Sequence, residues 1–167
     1  VSVRPDLRLP DGMRISLRMD GQEVRASPWQ NTGTFPGLFE NGPALLAGQE
    51  DPPAGGLVVT EAILEKLGFK REEATGLIGR DVELVLYAPR GESQTFSFQI
   101  TGVTEKRWGD ILVPVPDRPA LLEWWYNEPD YLAHWGYDEL VIRARSLNDA
   151  VQIVDWLSGQ GFKVESL

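Results

Sequence analysis

Between residues 13 and 19 the chain alternates. Met13, Ile15, Leu17 and Met19 fall on one side, Arg14, Ser16 and Arg18 on the other. A period of two marks a strand with one face in the core and one in water. Asp20-Gly21 follows, a dipeptide suited to a tight hairpin turn, so Gln22 to Ala26 is read as the returning strand. Val82 to Ala88 and Gln94 to Val103 repeat the theme, with Pro89-Arg90-Gly91-Glu92 as the second hairpin turn and Phe96, Phe98 and Ile100 on one face. Ile111 to Val115 is a short strand, and Pro114 places it at an edge or a strand end.

In GGLVVTEAILEKLGF the period changes within a few residues. Leu57, Val58 and Val59 are strand formers. Thr60 then stands where a helix N-cap belongs, its hydroxyl able to accept a bond from an orphan backbone amide. Glu61 falls in the first turn, where negative charge complements the helix dipole. Ile63, Leu64 and Leu67 make an apolar face, and Gly68 suits the position after the helix. A catalytic carboxylate or a phosphate-binding turn would look similar. The phosphate reading needs glycines between strand and helix, whereas Gly55 and Gly56 precede the strand. Glu61 is therefore read as a structural charge.

Further along, residues 71–79 read as a polar connector. Asp117 caps a helix that starts near Pro119 and carries Leu121, Leu122 and Trp125. Glu139 to Arg145 is a strand. Ser146 and Asp149 form a pair resembling a capping box. The helix they open places Leu147, Ala150, Val151, Val154 and Leu157 at helical spacing. Gly159 and Gly161 stop it, and Phe162 to Glu165 is expected to return as a strand. Strand, helix, strand makes a βαβ unit with a right-handed crossover.

The fold class is α+β: a β-rich lobe with hairpins over residues 13–113, and a small αβ lobe over 114–167. Residues 1–12 are polar with Pro5 and Pro10, and are expected to be a poorly ordered start. Residues 27–56, rich in Pro, Gly and Asn, read as a long irregular loop anchored by Trp29, Phe35, Leu38 and Phe39, with a helical turn at residues 44–48. A loop of that length is often functional.

Composition narrows the chemistry. The chain has 167 residues, 42% hydrophobic and 25% charged, a folded rather than a disordered balance. A net charge of −9 opposes a nucleic-acid surface, which must neutralise phosphates, and equally a polybasic membrane patch. With no cysteine, thiolate catalysis, disulfides and cysteine metal sites are excluded. His134 is the sole histidine, so a two-histidine zinc motif is impossible. The chain opens with Val1, carries no apolar stretch long enough for a membrane span and has no signal-peptide pattern, and so reads as an excerpt or a processed chain.

The most unusual composition is EWWYNEPDYLAHWGYDE, where Trp124, Trp125, Tyr126, Tyr131, Trp135 and Tyr137 fall within 14 residues. Three readings stay open: packing against the sheet, a recognition surface for a partner or a ligand such as a sugar, and an aromatic belt near a bilayer. With Trp29, Phe35 and Phe39 these residues form the candidate contact surface. His134 beside Asp130, Asp138 and Glu139 suggests a metal or acid–base pair, against the plainer reading of a surface histidine. Glu72-Glu73 and Glu50-Asp51 read as solvated loop charges. Ser27, Ser93, Ser97, Ser146 and Ser158 lack a nucleophile-elbow context. No catalytic, metal or cofactor-binding residue is assigned, no cofactor is expected, and the chain is read as non-enzymatic.

The order of motifs carries a resemblance. GGLVVTEAILEKLGF, then LIGRDVELVL, FSFQITGV, DILVPV and finally ELVIRARSLNDAVQIVDWLSGQGFKVES together resemble the extracytoplasmic (periplasmic core) domain of MacB/FtsX-like ABC transporter permeases. Residues 55–115 and 138–166 carry the match; 1–54 and 116–137 match poorly. The resemblance implies a parent with four membrane helices and this domain between the first and second. It implies a ferredoxin-like, porter-like lobe with an inserted β-rich lobe. It also implies an ATP-binding cassette subunit coupled through the membrane part, a second permease copy and an accessory extracytoplasmic protein as partners. The family begins its porter lobe with a strand and a helix that residues 1–12 do not supply. The alternative is a free-standing carbohydrate- or ligand-binding module that uses residues 124–137.

Overall fold

The computed structural model describes residues 2–29, 44–105 and 109–165. It is an α+β protein built on a seven-stranded sheet and a separate two-stranded one.

The alternating stretch forms strand β2 (Arg14–Met19) and pairs antiparallel with β3 (Gln22–Ala26). Asp20 and Gly21 between them both take positive φ, 52° and 78°, as a hairpin matching the strand twist requires. Strands β6 (Asp81–Tyr87) and β7 (Ser93–Thr104) make the second hairpin, and β2 pairs with β6. Between the hairpins lie β4 (Leu45–Gly48) and β5 (Gly56–Thr60), then α1 (Glu61–Lys66) and α2 (Ala74–Leu77). Strand β7 is long enough to serve three neighbours. Its first part pairs with β6, and its second part takes β5 in parallel and β4 antiparallel. The short β8 (Ile111–Leu112) closes the far side against β5.

The core is the inner face of this sheet. Ile15, Leu17, Leu84, Leu86 and Ile100 are buried in one cluster with Ile63 and Leu64 of α1. Helix α3 (Arg118–Tyr126) adds Leu121, Leu122 and Trp125 to the same cluster. After α4 (Tyr131–Trp135) the chain forms β9 (Glu139–Arg143) and then α5 (Leu147–Gly159). Half of the box read at α5 forms: the Asp149 backbone N–H donates to Ser146 Oγ at 3.1 Å, while the Asp149 carboxylate lies 3.7 Å from Arg145 Nε.

Six readings of the sequence need correction. Residues 1–12 contain a strand, β1 (Ser2–Asp6), antiparallel to β9, and they bury Leu7 and Leu9. The order comes from a partner more than a hundred residues away, which no local pattern records. Residues 44–48 extend as a strand rather than a helical turn, because β7 supplies the hydrogen bonds. The approach is close: a Cβ on Gly102 would collide with the Gln49 carbonyl. The connector at 71–79 contains a 3-10 turn (Arg71–Glu73) and α2, with Ala74 and Leu77 buried. Two apolar residues are too few to show a period.

Thr60 holds the N-cap position of α1 but its hydroxyl caps nothing. It is fully buried with no hydrogen-bond partner among the described residues. Asp117 does not cap α3 either; its carboxylate accepts from the Gly55 N–H at 2.8 Å, 62 positions away. Finally, residues 162–165 form no strand, so the expected βαβ unit does not form among the described residues; β9 takes β1 as its partner instead.

One buried ion pair joins the two sheets. Arg118, 1% exposed, donates from one terminal nitrogen to Asp6 Oδ1 and to the Leu7 carbonyl, both at 2.8 Å, and from Nε to the Val113 carbonyl at 2.9 Å. The Asp6 carbonyl accepts from the Asp138 N–H at 3.0 Å, just before β9. Asp6 Oδ2 has no partner among the described residues. Burial raises the Asp6 carboxyl above the usual carboxylate range, outweighing the Arg118 charge that pulls it down. Burial likewise lowers Arg118, with Asp6 opposing. Both shifts say that desolvation exceeds the attraction, the usual state of a buried pair.

Arg118→Met leaves the buried Asp6 uncompensated and is expected to cost about 3–5 kcal/mol in urea unfolding. Asp6→Asn costs less, since the amide oxygen still accepts from Arg118. The Asp6 pKa is higher folded than unfolded, so the folded state binds its proton first as pH falls. Wild type should therefore gain stability relative to Asp6→Asn as pH drops through the raised pKa toward 3.8. A gap that widens against wild type on acidification contradicts this. Thr60→Val removes a buried hydroxyl without a partner and should leave stability unchanged or raise it by about 1 kcal/mol.

Candidate functional site

The aromatic segment divides between core and surface according to how α3 ends. Trp125, on the inner face of the helix, is buried with Leu121 and Leu122. Trp124 is half-buried against the same core. The last carbonyls of α3 are held by Arg90 from the β6–β7 turn, which donates to Trp124 O at 2.7 Å and Trp125 O at 2.8 Å. A cation at a helix C-terminus also meets the negative end of the dipole. The Arg90 guanidinium lies 4.8 Å from the centre of the Trp124 ring, a cation–π contact.

The chain leaves α3 through Asn127 at φ 54° and enters α4 through Asp130 at φ 57°. Asn and Asp tolerate this left-handed region better than other residues with a Cβ. The tight turn folds α4 back on α3, so Tyr126 and Tyr131 stack with centroids 5.4 Å apart and planes within 8°. Trp135, one turn further, lies 6.5 Å from Tyr131. Tyr131 is half-buried, whereas Tyr126 and Tyr137 are exposed and Trp135 is 68% exposed. The result is a ridge: a buried base of Trp125, Trp124 and part of Tyr131, and a crest of Tyr126 and Trp135.

Two carboxylates act on Tyr131. Burial raises the Tyr131 hydroxyl above its ordinary pKa, and the neighbouring Tyr126, Asp138 and Glu128 add to it. His134 is exposed, with Nδ1 3.4 Å from Glu128 Oε1. The carboxylates beside it in sequence point elsewhere: Asp138 accepts the Arg8 backbone N–H at 2.6 Å, and Glu139 pairs with the Arg8 side chain at 3.1 Å. Among the described residues no group of three or more acidic or histidine side chains could hold a metal ion.

The other candidates lie apart from the ridge. Trp29 is buried in a small cluster with Val58 and Leu112, on the side of the sheet that Gly109 approaches closely. Phe35 and Phe39 lie outside the described residues. Glu61 accepts from Arg71 at 3.0 Å, and Arg71 reaches Glu105 at 2.8 Å. The Arg71 bond, with a weaker one from the Ala44 N–H, holds the Glu105 carboxyl below its ordinary range. Glu61 is thus one end of an exposed carboxylate–arginine–carboxylate chain. Sequence reasoning missed Arg90 and Arg118, the two arginines that fix α3. Arg90 carries a local signal, a cation in a hairpin turn; Arg118 carries none.

No protein-family model matches the chain, and no curated protein or solved structure matches it either.

Trp125→Ala should cost about 3–5 kcal/mol, as truncation of a buried aromatic does. Trp135→Ala should stay within about 0.5 kcal/mol of wild type. Urea unfolding of the two variants distinguishes base from crest; equal losses would mean that the crest is packed.

Proposed function

We propose that this chain is the extracytoplasmic domain of an ABC transporter permease of the MacB/FtsX-like kind, and that it works mechanically rather than as an enzyme. ATP is then hydrolysed by a separate cytoplasmic cassette. Motion of the membrane helices reaches this domain, which hands it on to a substrate, a partner or a second copy outside the membrane. The order and spacing of the motifs at 55–115 and 138–166 support the reading.

The observation that carries it is the pairing of β1 with β9. Asp6 lies opposite Glu139 and Ser2 opposite Arg143, so the strands by which the chain enters and leaves the large sheet are hydrogen-bonded neighbours. A body held on two adjacent strands moves as a unit when those strands move. The buried Asp6–Arg118 contact makes the attachment stiff. Transmission of this kind requires only that two arrangements differ in their contacts.

A free-standing ligand-binding module is the rival, favoured by the exposure of Trp135. The complete reading frame separates the two. The permease predicts an apolar span of about twenty residues on each side of this segment. A frame without both spans overturns the proposal, and a signal peptide with a neighbouring catalytic domain favours the module.

A further inference from the structure

The crest of the ridge is aromatic and its surroundings are acidic, and the combination specifies a partner. From Glu123 to Glu139 the chain holds five carboxylates, Glu123, Glu128, Asp130, Asp138 and Glu139, and no lysine or arginine. Arg8 offsets Glu139. Among the described residues no lysine or arginine forms an ion pair with Glu128 or Asp130, and Glu128 lies 3.4 Å from His134; Asp138 is already engaged by the Arg8 N–H and by the charge of Arg118. Tyr131 sits within the field of Glu128 and Asp138. Tyr126 stacks on Tyr131, and the exposed Trp135 lies 6.5 Å from it.

We propose that this ridge is a docking surface for a cationic peptide segment of a partner protein, taken up by cation–π contact with Trp135 and Tyr126 and by ion pairing with Glu128 and Asp130. Ring faces attract cations through their quadrupole, tryptophan most strongly, and nearby carboxylates add to the attraction. The protein already uses this chemistry at the base of the same ridge, where Arg90 rests over Trp124 while donating to backbone carbonyls. An arginine or lysine arriving from outside finds at the crest the rings that Arg90 leaves open.

The charge decides against the other occupants. An uncharged sugar could stack on the rings but gains nothing from the carboxylates. An anionic bilayer surface attracts basic segments and is repelled here. The assignment rests on the ridge alone and does not depend on the chain's being part of a permease.

The test is a titration of the protein, followed by amide NMR shifts, with a short capped peptide of alternating arginine and glycine. A glutamate–glycine peptide, a glucose oligosaccharide and phosphatidylserine vesicles are the comparison probes. Binding of the arginine peptide should shift the amides of residues 123–139. Trp135→Ala leaves the net charge unchanged and should weaken that binding about three- to fivefold. Glu128→Gln with Asp130→Asn should weaken it as well, and asparagine keeps the left-handed backbone at position 130. Glu72→Gln with Glu73→Gln removes the same charge elsewhere and should have no effect. Equal affinity in Trp135→Ala overturns the proposal, as does equal weakening by the distant charge pair. Capture of the oligosaccharide or the vesicles in place of the arginine peptide overturns it too.

Discussion

Arg118 and Asp6 meet in a buried contact on which the placement of α3 rests. Four segments converge there: the end of β1, the turn after β8, the start of α3, and the approach to β9. Neither side chain is comfortable. Burial drives each toward its neutral form, and the attraction between them does not fully offset that. What the pair supplies is definition. A guanidinium with three acceptors ties the start of α3, and with it the orientation of the helix, to β1 and to the turn after β8. From that orientation follow the position of Trp125 in the core, the exit of α3 under Arg90, and the stacking of Tyr126 on Tyr131.

The parts of the fold legible in the sequence are those whose reasons are local. The first hairpin was written in the alternation of Met13 to Met19 and in Asp20-Gly21, which takes up the positive φ values that such a turn needs. The cap of α5 was written in Ser146 and Asp149, three residues apart, and half of that box forms. Illegible parts owe their form to distant partners. Strand β4 extends because β7 is there to receive it, and the sequence Leu45–Gly48 has no preference strong enough to say so. Thr60 and Asp117 sit at the helix starts where capping residues belong, yet tertiary contacts reassign both. One hydroxyl is sealed in the core, and one carboxylate is turned to the Gly55 amide.

The candidate site was legible as a composition and illegible as a geometry. Six aromatic residues within 14 announce something unusual, but whether a ring faces inward depends on where α3 stops and how tightly the chain turns. Trp124 and Trp125 are adjacent in sequence and differ in fate because a helix puts neighbours about a hundred degrees apart. Trp135 escapes burial because α4 is only five residues long and returns over the end of α3 rather than over the sheet. His134 illustrates the same limit. Its sequence neighbours Asp130 and Asp138 suggested a pair, but its near carboxylate is Glu128, six positions back across the turn.

The two-stranded sheet poses a different problem. Helix α5 is apolar around more of its surface than its own chain covers: Ala150, Ile153, Val154 and Leu157 are half-buried, while Leu147, Val151 and Trp156 are exposed. The alternation of Phe162 and Val164 has strand character, yet residues 162–165 take neither of the outer edges that β1 and β9 leave unpaired among the described residues. A sheet of two strands is marginal by itself. The β1–β9–α5 unit therefore draws its order less from its own contacts than from its anchorage: Leu7 and Leu9 in the large core, and Asp6 under Arg118. Regions with few buried apolar contacts open at lower free energy than the core they hang from. The buried Asp6–Arg118 pair thus stands at the junction through which this unit is held to the large core.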